Sequence, residues 1–282
     1  GGSPRIAASL GHLNGRRRIA AESFTTDAKE GRWQLTPHEL RTVGDASGWL
    51  QGINQLVVHS YLHQAFPHVK PGLSLGHHGS QINVNTTWWP EMREWTRYVR
   101  RGQALLQYGK PQADVLVLGN SYQQELFALG MNFDLCCQED VLRLRPAADG
   151  GVAVPGQLPY PVLVVQTEDA RLHPETQQAL AALEKAGCRL AHGSSVAAVR
   201  KLKLRSCFEA PDALRAVRRE GADGSRIWFV VNRTDEPFYG VADFAAPAGT
   251  RPEIFDAVTG AVRAVPNVDG DAPDRTKVLL DL

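Results

Sequence analysis

Glu22 closes the short apolar run Ile19-Ala20-Ala21, and a carboxylate at the end of a buried strand is the first group that acid–base cleavage of an acetal linkage requires. Such cleavage uses two carboxyl groups, one protonating the departing oxygen and the other activating water or attacking the carbon. The two alanines leave room for a substrate, while the neighbouring Arg16-Arg17-Arg18 also allow Glu22 to be read as a salt-bridge or capping group. Trp33, Trp49, Trp88, Trp89, Trp95, Tyr61 and Tyr98 lie within the first hundred residues. Indole faces stack on sugar C–H surfaces and Asn, His and Gln take hydroxyls, so this mixture suits a sugar pocket. Trp88 and Trp89 are candidates for that lining, whereas Trp95 and Tyr98, at helical spacing from Met92, are expected in the core. His59, at a strand end, is placed to bond a hydroxyl or orient a carboxylate. His63, His77 and His78 are of metal-ligand type, but none pairs with a carboxylate at the i, i+4 spacing of a zinc helix, and no metal is assigned. Gly119-Asn120-Ser121 follows a strand as a phosphate loop would, without the further glycines or the lysine.

The elements that must position these groups follow from periodicity and punctuation. A strand over 18–21 ends at Glu22. Thr36-Pro37-His38-Glu39 combines an N-cap, a proline at the first helical position and a capping-box glutamate, and it predicts a helix to about Gln51. Gln55-Leu56-Val57-Val58-His59 reads as the next buried strand, and a long loop over 62–86 leads to a helix over 90–108. This alternation predicts residues 1–110 as the C-terminal half of a (β/α)8-type barrel, whose reacting groups sit at the C-terminal strand ends. Residues 111–204 repeat strand and helix as a small doubly wound, flavodoxin-like α/β unit, with strands over 113–118, 160–166 and 188–192, helices over 138–144 and 174–186, and Gly187 as a C-cap. Residues 205–282 are strand-rich and predict a β-sandwich, with Thr259-Gly260 turning between two strands. The expected fold class is therefore α/β: a partial barrel, a doubly wound domain and a C-terminal sandwich.

Composition narrows the partners. The chain's 282 residues suit two or three domains, and its net charge of +1 gives no electrostatic reason to expect nucleic acid or an anionic membrane surface. No apolar run reaches the roughly 18 residues that span a bilayer, and the start Gly1-Gly2-Ser3-Pro4-Arg5 lacks the pattern of a signal peptide. A neutral carbohydrate is the partner that fits, and no cofactor is required. Cys136, Cys137, Cys188 and Cys207 have no metal-ligand spacing, and the adjacent pair is expected as buried thiols.

Ala20-Ala21-Glu22-Ser23-Phe24-Thr25, then Gly52 through Gln55 and His59-Ser60-Tyr61-Leu62-His63-Gln64, then Asn85-Thr86-Thr87-Trp88-Trp89, Tyr98, Arg100 and Leu105-Leu106-Gln107 together resemble glycoside hydrolase family 106, the α-L-rhamnosidase family. The resemblance covers about Ala8 to Gly193, as the C-terminal portion of the family's chain. It implies an inverting hydrolase on a β/α barrel that removes terminal α-L-rhamnose, often with calcium nearby, secreted or periplasmic in the full-length protein. Glu22 matches the position taken as general acid. Glu91, which follows the tryptophan pair after Pro90, is the choice for the second carboxylate, with Asp45 and Glu125 as alternatives. His59, Tyr61, His63, Asn85, Trp88 and Trp89 are the implied sugar contacts, with Asn120 standing where the family often carries Gly-Glu. The earlier barrel strands are expected from a longer polypeptide or a second chain. Other readings are a retaining barrel glycosidase of β-galactosidase type and a non-catalytic carbohydrate-binding protein.

Overall fold

Proline lacks an amide hydrogen that the first helical position would leave unused, and Pro4 accordingly starts α1 (Pro4–Leu13). The structure is a computed structural model that describes residues 4–25, 35–75, 82–119, 121–166, 171–268 and 272–282. After α1 come β1 (Ala20–Ser23), α2 (Pro37–Val43), β2 (Gln55–Val58) and α3 (Met92–Leu106). The capping box of α2 forms, with Thr36 N donating to Glu39 Oε2 at 2.7 Å and Glu39 N donating to Thr36 Oγ1 at 3.3 Å. The helical path reaches Gln51 as predicted, but it changes pitch, passing through a π turn over Gly44–Gly48 and a 3-10 turn over Trp49–Gln51. The change of pitch turns Asp45 and Trp49 inward. Trp49 is fully buried against Tyr98 and Phe229, and the Tyr98 hydroxyl lies 2.8 and 2.7 Å from the two oxygens of Asp45. Gly52 ends the path at φ +89, where a Cβ would stand 2.8 Å from that of Ala8.

β1 and β2 pair in parallel, Ala20 with Gln55 through Ser23 with Val58. Among the described residues these two strands make one small sheet, and no barrel closes. Leu56 and Val58 pack on the helix side with Leu40, Trp95 and Val99, and the Leu56 amide donates to Gln103 of α3 at 2.6 Å. Asn54 secures the strand starts: its Oδ1 accepts from Ile19 N at 2.8 Å, and its Nδ2 donates to Arg17 O at 2.8 Å and Leu106 O at 3.3 Å.

The next segment runs β3 (Lys110–Gln112), β4 (Val115–Leu118), α4 (Gln124–Ala128), β5 (Phe133–Cys136), α5 (Gln138–Val141), the hairpin β6 (Arg145–Pro146) and β7 (Val152–Ala153), β8 (Leu163–Val165), α6 (Pro174–Lys185), β9 (Leu190–His192) and α7 (Ser195–Lys201). Strands β5, β4, β8 and β9 form a parallel sheet in that order. A parallel sheet covered on both faces wants continuous apolar runs. Leu116, Leu118, Leu163 and Val165 meet Leu180 and Leu183 of α6 on one face, while Val115, Val117 and Val164 meet Leu126, Ala198 and Val199 on the other. Strand β5 escapes the sequence reading because Asp134 interrupts it. That carboxylate is 1% exposed, and α1 supplies its partners: Ser9 Oγ donates to Oδ1 at 3.1 Å, and His12 Nδ1 stands 2.9 Å from the same oxygen. The adjacent cysteines separate: Cys136 is buried, but Cys137, expected inside, is exposed because it follows the strand and opens α5.

The last segment holds β10 (Phe208–Glu209), β11 (Leu214–Glu220), β12 (Arg226–Asn232), β13 (Tyr239–Phe244), β14 (Glu253–Phe255), β15 (Val262–Ala264), β16 (Asn267–Val268) and β17 (Thr276–Asp281). Antiparallel sheets β10-β13-β17-β16 and β12-β11-β3 share a core containing Leu214, Ala216, Trp228, Phe244, Val278 and Leu280. β3 thus belongs to a sheet built mostly more than a hundred residues later. Gly260, at φ +81, turns between β14 and β15 as predicted. Strand β11 reads as polar because Arg215 and Arg219 alternate along it, yet both are buried: they donate to Phe127 O and Ala128 O, and to Tyr108 O and Gly109 O. Asp114 completes the junction, its Oδ2 accepting from Asn132 N at 2.8 Å and its Oδ1 from Cys207 N at 2.9 Å.

Two outcomes follow. Both oxygens of Asp114 accept a backbone amide, so Asp114→Asn sets an NH2 group against an N–H donor; urea denaturation should show a loss of about 1–3 kcal/mol. Burial pushes the Asp45 carboxyl up to about 6, against the opposing hydrogen bond from Tyr98. Its folded value lies above the unfolded value near 4, so its contribution is complete below about pH 4 and fades as pH rises through about 6. Asp45→Asn, which keeps an acceptor for Tyr98, should flatten the fall in stability between pH 4 and 6 relative to the parent; an unchanged slope would assign that slope to other groups.

Candidate active site

In a parallel pair, residues opposite each other share a face, so Glu22 and its partner Val57 project together. Helices cover the other face, through Leu56 and Val58. Glu22, Ala20 and Val57 are exposed on the uncovered face, the side that becomes the interior when such a sheet closes into a barrel. Thr25 Oγ1 lies 3.4 Å from Glu22 Oε1. Two residues beyond Glu22, Phe24 takes φ +69 while its ring is buried edge-on against Trp95 at 5.7 Å. A bulky residue in the left-handed region stores strain, and strain of this kind concentrates at functional sites. The sequence reading did not single out Phe24.

The loop from β2 to α3 leaves from the C-terminal end of β2, so its residues gather at the Glu22 end of the strands. His59 follows β2 with its amide donating to Ser23 O at 3.0 Å. His59 Nδ1, Ser60 Oγ and Asn83 Nδ2 are buried and make no hydrogen bond among the described residues, and Ser60 O accepts from Ile82 N. Ser60 and Asn83 were missed because a lone serine and a loop asparagine carry no signal in sequence; their significance is that buried polar groups nearly always have partners. Tyr61 is 65% exposed, with its ring 6.0 Å from that of Trp89. Trp88 and Trp89 are half-buried beside Met92 and Trp95. Trp95 and Tyr98 are core residues, as expected.

Asn85 is occupied within the loop. It accepts from Lys70 Nζ at 2.5 Å and donates to Gln64 Oε1 at 3.3 Å, while Gln64 also holds the backbone of Leu73. His63 is exposed on the same loop. Glu91 is exposed just before α3, with its amide bonded to Trp88 O, and no hydrogen bond or ion pair joins it to Glu22. Of the alternatives to Glu91, Asp45 is buried against Tyr98 and Glu125 lies on the exposed surface of α4. Asn120, Trp33, His77 and His78 fall outside the described residues. Among the described residues, no group of three or more His, Cys, Asp or Glu side chains comes together as a metal site. No described helix is long and apolar enough to cross a membrane.

Known proteins resemble this chain over most of its length. The family described as alpha-L-rhamnosidase, glycoside hydrolase family 106, matches residues 2–199. A protein of Formosa agariphila named "Putative beta-glucuronidase" is 30% identical over 304 aligned positions, covering 93% of this chain and 26% of the relative. The structure of a rhamnosidase from Novosphingobium sp. PP1Y superposes with a TM-score of 0.83 at 20% identity, over 98% of this chain and 31% of that one, which is a likeness of fold. The chain thus spans about a quarter of the curated relative's length and under a third of the solved structure's. A match over residues 2–199 takes in both β1–β2 and the whole parallel sheet, and on that match the chain belongs to glycoside hydrolase family 106, the alpha-L-rhamnosidase family.

Proposed function

We propose that this chain supplies part of the active site of a glycoside hydrolase that removes terminal α-L-rhamnose from oligo- or polysaccharides with inversion. The observation that carries the reading is Glu22, exposed near the C-terminal end of a parallel strand on the face that no described helix covers. There it is the general acid, protonating the leaving sugar's oxygen. Glu91 is the candidate base, and an inverting pair stands about 6.5–9.5 Å apart so that water fits between. Tyr61, Trp88 and Trp89 offer aromatic surface to the sugar, with His59, His63 and Asn120 as polar contacts. Asn85, bonded within its loop, acts by holding that loop in shape. The remaining barrel strands come from polypeptide outside this segment and pair with the edge of β1 that no described strand occupies. The buried polar atoms of His59, Ser60 and Asn83 support the reading, since a sugar's hydroxyls or the completed barrel would satisfy them. The name of the Formosa relative favours a second reading, hydrolysis of a β-glucuronide.

Leaving-group chemistry tests the role of Glu22 in the full-length polypeptide. Nitrophenolate departs without a proton, whereas a sugar alkoxide needs one. Glu22→Gln should therefore lower kcat on a rhamnosyl disaccharide by about 10²–10⁴-fold and on nitrophenyl α-L-rhamnoside far less. Equal losses on both would make Glu22 the base, and unchanged turnover would remove it from the chemistry. Faster release from nitrophenyl β-D-glucuronide than from the rhamnoside would establish the second reading.

A further inference from the structure

The Glu22 end of the strands is not their only functional surface. At the opposite, N-terminal end lies a cleft of about 380 Å³, where the turn after α1, the end of α3, β3 and β11 meet. Arg16, Arg17, Lys110 and Arg219 line it together with His12 and Gln157, and among the described residues no Asp or Glu does. The whole chain holds 31 basic and 30 acidic residues, so four cations around one cleft without a carboxylate depart from its average.

These charges are oriented by groups that do not neutralise them. Arg219, 5% exposed, donates to Tyr108 O at 2.6 Å and to Gly109 O at 2.8 Å. Arg17 Nε donates to Gln107 O at 3.2 Å, and Lys110 donates to Gly156 O. All of these acceptors are backbone carbonyls. Asp223 takes its bonds from the Tyr108 hydroxyl and Ser225 and does not line the cleft. Burial, and then the like charge of Arg17, brings the Arg219 guanidinium down to about 10. His12 Nε2 is buried with no hydrogen bond among the described residues. Gathering like charges on a half-enclosed wall is unfavourable, and a bound anion reverses the sign of that term. The volume falls in the range of about 300–1,000 Å³ typical of small-molecule sites and exceeds what an inorganic ion fills.

We infer that this cleft binds a small organic oxyanion, a molecule carrying a carboxylate, sulfate or phosphate group held by Arg17, Lys110 and Arg219. The cleft lies at the far end of the strands from Glu22, so the inference does not depend on the glycosidase reading. Occupied, it joins the segment of β1 and β2 to the sheet containing β11 through one ligand.

Calorimetric titration at fixed ionic strength tests it with glucuronate, glucose 6-sulfate and glucose 6-phosphate, and with glucose as the uncharged control. One or more of the anionic sugars should bind with one-to-one stoichiometry, about tenfold or more tighter than glucose. Arg17→Gln combined with Lys110→Gln should weaken that binding by about tenfold, and Glu22→Gln should leave it unchanged. Arg16→Gln removes a charge whose side chain makes no bond among the described residues, so it should weaken binding even if the double variant does not fold. No saturable heat from any of the three anions, or binding that neither set of arginine and lysine substitutions weakens, would overturn the inference. Binding abolished by Glu22→Gln would place the ligand at the other end of the strands and would also overturn it.

Discussion

The carboxylate of Asp134 is the constraint on which the arrangement of the first two segments depends. It lies in an edge strand with 1% of its surface exposed, and a buried charge is tolerated only when it is paired and bonded. Burial alone would push its carboxyl up, but the attraction and hydrogen bond of His12, the charge of Arg5 and the Tyr160 hydroxyl outweigh that and hold it below its ordinary value. Three of these four sources of stabilisation lie on α1 and one on the loop before β8. The same helix also satisfies the strand's backbone, since Arg5 donates to Phe133 O and Leu135 N donates to Ser9 Oγ. An open sheet edge is a liability, and here a helix bonds to it with side chains instead of another strand.

The third segment is secured by the same physics with the charges exchanged. Arg215 and Arg219 reach out of β11 to carbonyls at or just beyond the C-terminal ends of α4 and α3, where the helix dipole is negative. Asp114 and Asn132, at the starts of β4 and β5, bond Cys207 N and Ala216 O in return. Polar groups that read as surface residues thus form the seams between apolar layers. Because such bonds are directional, the seams fix orientation as well as adhesion.

This explains how the two ends of the β1–β2 pair come to differ. At the strand starts Asn54 bonds three backbone groups and the arginines converge, giving a tied and strongly positive wall. At the strand ends Glu22 is exposed and the chain turns through the strained Phe24. Rigidity at one end and unfilled polar surface at the other suit a scaffold that holds a carboxylate for chemistry.

Local signals in the sequence determined the capping box at Thr36, the helix start at Pro174, the turn at Gly260 and the strands β2, β4 and β8, because each depends on neighbours within a few residues or on a continuous apolar run; β4 and β8 are buried, whereas β2, expected buried, is only partly so, with Val57 exposed. Such signals also located Glu22 close to a strand end, although the strand runs over Ala20–Ser23 and includes Glu22 rather than stopping before it, and the order of short motifs disclosed the family. Tertiary structure alone decided what α1, β5 and β11 are. Each carries charged or polar residues inside, and the burial of Arg5, His12, Asp134, Arg215 and Arg219 depends on partners that include Phe133 for Arg5, Phe127 for Arg215 and Gly109 for Arg219, all distant in sequence, as His12 and Asp134 are from each other. It also decided the fates of Asp45, buried under Tyr98, and of Asn85, bonded within its loop. A net charge of +1 likewise gave no sign of the basic cleft, since a sum over the chain does not record which charges folding brings to one wall.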